Sequence, residues 1–467
     1  MRGTKASKER EEAEIRRLEA DEAFQKHHHY FLILIIVLTL VYIADELTSN
    51  IKGYTQNFVI YDFFNTTINT QEFADASAKL QLISTLCYLI LIIAPFYKSL
   101  ADKFGRRLFL IINTLGMGIG MLVCAVSPNF ITFILGTVIM TFFTPNDVQV
   151  MYIMECAPKE HRAKLASLTK GIATMSVSLI GLFIKLFYNR ADVESWRLIY
   201  IIPVAIALIV GVASIFIVRE TPVYTEKRLA WLRASEDERA SQKQKEEEEK
   251  KNSPSVPAAF KYIFSHPQTK ALALVVVIFS FSTGFTNIYG TVVEAGLGTG
   301  ALSVDATNMI YSLWPIINGV FTFLAGVFQD LLGRKKSAIL LACWAVAGLV
   351  MFVMGCALGW KSWIPGFGYG LYSAGLWSIS DMLIIIMTAE STPTWIRASV
   401  MGVMSLVGMV GTGFSWIFNA AMTSVAGTER LGLILMLCYL PVLIISVVLL
   451  QLKVKETKGV ELDNIEE

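Results

Sequence analysis

The feature that most constrains this chain is a succession of long apolar stretches, which begin at Tyr30 and recur to residue 452. A helix that crosses a membrane needs about 20 mainly apolar residues. Because a helix satisfies its own backbone hydrogen bonds in lipid, continuous runs favour helices over a barrel of short alternating strands. The sequence therefore predicts an all-α integral membrane protein with twelve transmembrane helices, over 30–52, 77–97, 108–126, 130–155, 165–188, 198–218, 269–293, 304–328, 338–358, 365–390, 400–424 and 431–452.

The composition indicates lipid, rather than water, around most of this chain. Apolar residues make up 54% of it and charged residues 17%, whereas soluble domains carry about 25% charged residues. A net charge of +2 does not indicate a nucleic-acid partner. The six cysteines lack the spacing of a metal site or a disulfide framework, and no Ser/His/Asp arrangement indicates an enzyme. We therefore expect no metal, no cofactor and no catalytic residues.

The polar segment 219–268 divides the predicted spans into two groups of six, because its charge runs and prolines suit a solvated linker. Most Lys and Arg residues fall on the same side as this linker and both termini. Positive charge is retained in the cytoplasm, so we expect both termini there, in a multi-pass protein of the plasma membrane. The predicted organisation is a charged N-terminal segment, two six-helix bundles, the linker and a tail, over 1–29, 30–218, 219–268, 269–452 and 453–467.

Three short motifs occur once in each half. Asp-x-x-Gly-Arg-Arg/Lys begins at Asp102 and Asp330, and Glu-x-x-Pro-x-x-x-Arg begins at Glu155 and Glu390. A Glu-Thr pair follows the last span of each half, at 220 and 456. The two copies lie 228 to 236 residues apart, which indicates a duplicated unit inserted twice in the same direction.

With these motifs, the chain after residue 30 resembles the major facilitator superfamily, and within it the sugar-porter and organic-ion-transporter group. The resemblance implies the major facilitator fold and transport by alternating access, with a cytoplasmic gate built from the motif residues. The alternative is that these residues only fix topology and cap helices. The gate residues implied are Asp102, Gly105, Arg106, Arg107, Glu155, Arg162, Glu220, Asp330, Gly333, Arg334, Glu390, Arg397 and Glu456.

Some features of sugar porters are absent. The seventh span lacks the paired glutamines that precede Gly and Asn in that group, and the fifth span has no glutamine. The eleventh span lacks the charged residue that many organic-ion transporters carry there. These absences weaken the case for a sugar substrate, and the sequence favours no specific ion as the substrate.

Four acids lie within predicted spans, where an ionisable residue costs about 2.5–3.5 kcal/mol and usually faces a water-filled path. Asp147 and Asp381 precede Glu155 and Glu390 by similar distances, which places them at matching depths. Asp45 lies about where proton-coupled sugar porters keep an acid. We expect Asp45 or Asp147 to take up a proton; a solvated acid near a span end is the alternative. The proton-coupling candidates are Asp45, Glu46, Asp147 and Asp381.

Polar and aromatic residues at helical spacing mark a candidate substrate cavity, because a few polar groups among aromatic rings suit a small organic ligand. Lys170 either holds an anionic group or extends to the headgroups. The candidates are Asn146, Gln149, Lys170, Asn287, Tyr289, Trp314, Asn318, Tyr372 and Trp377.

The predicted function is secondary active transport of a small organic solute by alternating access, as a proton-coupled symporter working in uptake. The alternatives are a facilitative or proton-coupled sugar transporter, and a drug or organic-ion exporter. A further alternative, from a different class of function, is a non-transporting membrane sensor or receptor. The expected partners are the solute, protons and the lipid bilayer, and we expect a monomer.

Overall fold

Most of the chain that the structure describes is helical. The computed structural model describes residues 2–25, 29–93, 97, 100–101, 104–144, 148–158, 162–235, 237–242, 244, 256–295, 303–393 and 395–459. The helices are α1 (Arg2–Gln25), α2 (Tyr30–Phe64), α3 (Gln71–Tyr88), α4 (Arg106–Ala125), α5 (Phe130–Phe143), α6 (Val148–Cys156), α7 (Arg162–Ser176), α8 (Ser178–Phe187), α9 (Trp196–Ile199), α10 (Ile201–Ile217), α11 (Pro222–Arg233), α12 (Val256–Ser265), α13 (Pro267–Ser282), α14 (Tyr289–Ala295), α15 (Val304–Leu332), α16 (Arg334–Ala357), α17 (Trp363–Asp381), α18 (Thr388–Glu390), α19 (Arg397–Ala426) and α20 (Leu431–Lys453).

Eleven stretches of helix among the described residues are long and apolar enough to cross a membrane. The second predicted span, 77–97, corresponds to α3 and a 3-10 turn over Leu89–Ile93. The all-α membrane fold class is thus confirmed. The helix of the first predicted span, α2, has 35 residues and continues well beyond the predicted end at residue 52.

The seventh and tenth spans each contain an irregular turn. In the seventh, α13 and α14 are separated by a 3-10 turn over Thr283–Asn287. A Cβ on Gly284 would lie 2.6 Å from the Cβ of Ser415, so only glycine allows this approach. The Gly284 carbonyl accepts a hydrogen bond of 2.7 Å from Asn419 Nδ2. This contact gives a backbone group of the turn a partner within the protein, as apolar surroundings favour. In the tenth span a π-helical turn over Met382–Met387 follows α17.

By contacts, the chain divides into two compact units. The first comprises residues 1–49, 87–173 and 200–251, and the second comprises 50–86, 174–199 and 252–467. The boundaries at 49/50, 86/87 and 173/174 fall within helices. The units do not coincide with the two predicted six-span bundles, and those bundles stay a prediction. The core of the first unit contains Leu34, Leu38, Phe109, Tyr152 and Val218, among other buried residues.

The predicted N-terminal segment and linker contain helices that contact each other in the first unit. Leu18 of α1 is fully buried against Leu229 and Leu232 of α11. Four ion pairs flank this apolar contact. They are Glu11–Arg239, Glu14–Arg228, Glu19–Arg233 and Asp21–Arg219.

Candidate functional site

We call the helix ends near Gly105 and Gly333 the motif end and the opposite ends the far end. At the motif end of the first unit, buried Glu220 accepts hydrogen bonds from the backbone N–H groups of Arg106 (2.8 Å) and Arg107 (3.2 Å). These are the first residues of α4, whose N–H groups have no partner within the helix. Arg106 extends its side chain to Glu155, with 3.1 Å between Nε and Oε1. One acid therefore caps α4 while a second pairs with its first arginine.

The second unit repeats this arrangement with the equivalent residues. Glu456 accepts hydrogen bonds of 2.9 Å from the backbone N–H groups of Arg334 and Lys335, at the start of α16. Arg334 Nη2 lies 2.8 Å from Glu390. Gly105 and Gly333 precede the capped helices with φ of 100° and 87°, which side chains rarely adopt. The sequence repeat is therefore also a repeat of contacts.

The two capping acids differ in their surroundings. Burial raises the pKa of Glu220 above its ordinary value, even though backbone N–H groups donate to the carboxylate. Glu456 is exposed; its partial burial acts to raise its pKa, but four backbone N–H donors together outweigh this and hold the pKa below its ordinary value. As pH falls, Glu220 therefore takes up a proton before Glu456 does.

The other predicted gate residues have different surroundings. Asp102 and the side chain of Arg162 lie outside the described residues. Asp330 is 82% exposed and lies 3.4 Å from Arg334, so its ion pair is a surface contact. Arg397 donates from Nε to the Thr392 carbonyl at 3.1 Å. The contacts of the described gate residues thus centre on the two capping acids and the two arginines at the helix starts.

Among the candidate proton-coupling acids, Asp45 is the one the structure shows buried. It is 7% exposed, and its Oδ2 accepts a hydrogen bond of 2.9 Å from Nε2 of Gln149, which is also buried. Glu46 is half-buried and Asp381 is exposed. Asn146 and Asp147 lie outside the described residues. The structure thus brings together one predicted acid from α2 and one predicted cavity amide from α6.

Aromatic candidates meet in the second unit. Tyr289 stacks on Tyr369 with ring centroids 4.7 Å apart, and Trp314 meets Tyr369 edge-on at 5.1 Å. Tyr54 of α2 joins them, 4.7 Å from the ring of Tyr311. All five rings are buried. We call these five residues the aromatic cluster; Tyr54 and Tyr311 were not predicted to belong to it.

The remaining cavity candidates do not form one group. Asn287 Nδ2 is buried, with no hydrogen-bond partner among the described residues. Asn318 accepts a hydrogen bond from Thr322 at 3.4 Å, and Tyr372 is fully buried. Lys170 and Trp377 are exposed. Asn287 Nδ2 is therefore, like Tyr289 Oη and Trp314 Nε1, a buried donor without a hydrogen-bond partner among the described residues.

A belt of polar contacts at the far end was not predicted. It lies within the second unit and joins α2 and α3, with the loop between them, to the C-terminal half of the chain. We call it the far seam, formed by Asn57–Thr291, Asn69–Thr428, Asp75–Ser424 and Gln81–Thr423 at 3.0–3.4 Å. A sequence signal existed on α2, where the amides Gln56 and Asn57 follow the predicted end of the first span at residue 52.

No group of three or more His, Cys, Asp or Glu residues that could hold a metal ion occurs within the described ranges. The described site residues present carboxylates, guanidinium groups, amides and aromatic rings.

Comparison with known proteins identifies the family. The chain is 24% identical over 395 residues to the glucose transporter GlcP of Staphylococcus epidermidis, covering 79% of this chain and 83% of that protein. It is 23% identical to solute carrier family 22 member 7 of Mus musculus, over 75% of this chain and 66% of that protein. The fold matches the crystal structure of a D-xylose-proton symporter with a TM-score of 0.68, at 17% identity, over 92% and 99% of the two chains.

The family model of the Major Facilitator Superfamily matches residues 31–381, which is most of the chain. This match agrees with the duplicated motifs, the helical fold and the transporters named above. The chain belongs to the Major Facilitator Superfamily.

Proposed function

We propose that this transporter moves a small organic solute by alternating access and couples its movement to protons, as a symporter working in uptake. The observation that carries the proposal is the buried contact between Asp45 and Gln149, 2.9 Å apart inside two predicted spans. An acid at such a position costs free energy on insertion, so its presence favours a functional role.

The chemistry of this contact suits a proton carrier. In the ionised state Asp45 accepts a hydrogen bond from the Gln149 amide, which favours the charged form. In the protonated state the carboxyl group is neutral, so the burial penalty on the charge disappears. A group that alternates between these states links proton binding to the conformation of the helices around it. Asp147, which lies outside the described residues, stays the second predicted proton acceptor.

The motif networks support the gating half of the proposal. In each unit a capping acid and an arginine–glutamate pair join three separate segments at the motif end. Such networks have two discrete states, made and broken, as a gate requires. We assign the gate to the predicted motif residues, including Asp102 and Arg162, and place it and both termini on the cytoplasmic side of the plasma membrane.

The candidate substrate site favours a small solute that presents both an apolar face and hydrogen-bonding groups. The aromatic cluster supplies rings, and Asn287 supplies a donor that the described protein leaves unused. A sugar is the second candidate, because two of the proteins compared are named for glucose and D-xylose. We expect the monomer to be sufficient for transport.

The test uses the full chain in proteoliposomes. Sugars, carboxylates, aromatic acids and organic cations are first screened for thermal stabilisation of the purified protein at two pH values. The best ligand is then followed as a radiolabelled solute under an imposed proton gradient. We compare Asp45→Asn with the charge-conserving Asp45→Glu.

Asp45→Asn is expected to lose accumulation driven by the gradient but to keep exchange of labelled for unlabelled solute across the membrane. Asp45→Glu is expected to keep both. Accumulation by Asp45→Asn at the unaltered level would show that this acid does not couple protons. Binding of a ligand without any transport by the unaltered chain would favour the sensor class instead.

A further inference from the structure

A buried acid that the proposed mechanism does not use lies beside the far seam. Glu294 lies in α14, and its side chain is 5% exposed. Its cation partner is Arg190, whose Nη2 lies 3.7 Å from Glu294 Oε2 and whose side chain is 50% exposed. Arg190 lies between α8 and α9, so the pair joins the segment between the fifth and sixth predicted spans to the end of the seventh.

The surroundings of Glu294 belong to the seam itself. One turn earlier, Thr291 donates a hydrogen bond to Asn57 of α2 at 3.1 Å. The next residue, Ala295, accepts one from Asn69 at 3.5 Å. The rings of Tyr61 and Tyr188 lie within electrostatic range of the Glu294 carboxylate. Glu294 is therefore buried by the same segments that form the far seam, and parting them would expose it to water.

We propose that Arg190 is the residue that holds the far seam closed, by neutralising a carboxylate that closure buries. This rests on the proposed alternating-access function, because it describes the state in which the far end of the solute path is shut. A buried charge is tolerated only when it is paired, and removing one partner leaves the other uncompensated. Without Arg190, closure would bury the charge of Glu294 alone.

The two partners are therefore not equivalent. Loss of Arg190 leaves a buried anion and favours opening of the seam. Loss of the charge at Glu294 removes both the attraction and the desolvation penalty, and these effects offset each other. The double substitution should consequently behave like the single change at Glu294, and unlike the single change at Arg190. A contact that contributes only attraction would instead give similar losses in the two single variants, and the double variant would lose no more than either, because the contact can be broken only once.

The chain offers a matched control. Lys185 and Asp305 also form an ion pair with 3.7 Å between N and O, and they also join the end of α8 to the C-terminal half. Their side chains are 61% and 86% exposed, so neither charge is buried by closure. Breaking this pair is expected to leave the seam closed, because exposed ion pairs contribute little.

The experiment is hydrogen exchange measured by mass spectrometry on the full chain in lipid nanodiscs, following the amides of residues 289–295. Arg190→Ala is expected to raise their exchange rate by about tenfold, which corresponds to about 1.4 kcal/mol of seam opening. Glu294→Gln, Arg190→Ala with Glu294→Gln, and Lys185→Ala are each expected to change it less than about threefold.

An unchanged rate in Arg190→Ala, or a double variant that exchanges as fast as Arg190→Ala, would overturn the proposal. Should Arg190→Ala fail to fold, Arg190→Lys keeps the charge and is expected to exchange like the unaltered chain. A double variant exchanging about tenfold faster than Arg190→Lys would then refute the proposed role of Arg190. These measurements need no solute, so they are independent of the transport result for Asp45.

Discussion

Replacing Gly105 by alanine tests whether the capping arrangement at the motif end stabilises the first unit. Gly105 has φ of 100° and ψ of 148°, a backbone conformation almost confined to glycine. A Cβ at this position would lie 3.1 Å from Cδ of Glu220 and closer still to Oε2. The substitution therefore strains the backbone and displaces the acid that caps α4.

The magnitude follows from these two effects. A residue with a side chain in such a conformation costs about 1–3 kcal/mol. Loss of a helix cap costs about 0.5–2 kcal/mol. The expected destabilisation of Gly105→Ala is therefore about 1.5–5 kcal/mol. For a domain of 150–250 residues each kcal/mol lowers the melting temperature by about 2–4 °C, so we expect a decrease of at least about 3 °C.

The assay is the apparent melting temperature of the purified protein in detergent, followed by tryptophan fluorescence. Gly402→Ala is the control, since Gly402 lies inside α19 with open space around the position that a Cβ would take. Alanine there should stabilise by up to about 1 kcal/mol, because glycine weakens a helix interior. If the two alanine variants melt at the same temperature, the reasoning about the Gly105 conformation is refuted.

Three further predictions concern the docking of α1 on α11; the first two are measured by the rate of tryptic cleavage within α1, and the third by hydrogen exchange. Leu18→Ala should speed cleavage, because truncating this buried side chain costs about 2 kcal/mol or more. Glu14→Arg should also speed cleavage, because it breaks the ion pair of 2.8 Å with Arg228. Adding Arg228→Glu should restore protection, because it rebuilds the pair with the charges reversed. Glu12→Arg, which breaks an exposed pair with Arg16, should leave the cleavage rate unchanged. The hydrogen bond from Arg228 is the main cause that lowers the pKa of Glu14. The pair's contribution to the stability of the docked helix should therefore be complete above about pH 4.3 and lost as pH falls through the lowered pKa. Hydrogen exchange of α1 that stays constant down to about pH 3, after correction for the intrinsic rate, would contradict this.

The fold was predictable because lipid imposes a single backbone solution on each apolar stretch. Hydropathy failed to predict the end of a helix where protein, rather than lipid, surrounds that helix. The apolar run of α2 was judged to end at residue 52, yet the helix continues to Phe64 with Thr55, Gln56 and Asn57 buried. Hydropathy measures preference for lipid, so a segment buried by other helices escapes it.

The motif-end contacts were predictable for a different reason. The two copies of each motif restrict the number of possible partners, and the same contact occurs in both copies, as Arg106–Glu155 and Arg334–Glu390. Glu294 was missed because its partner has no counterpart in the repeat. Arg190 lies in a loop whose position depends on how the helices assemble, and no spacing in the sequence encodes that approach.

The docked N-terminal helix has a consequence for biosynthesis. Glu14 and Arg228 are separated by 214 residues, so the ribosome completes α1 long before it makes the surface that α1 contacts. At about 5–20 residues per second, that interval lasts roughly 10–40 s. The helix α1 must therefore wait, without its final neighbours, until the first six predicted spans have been made. It is among the last parts of the first unit to reach its final position.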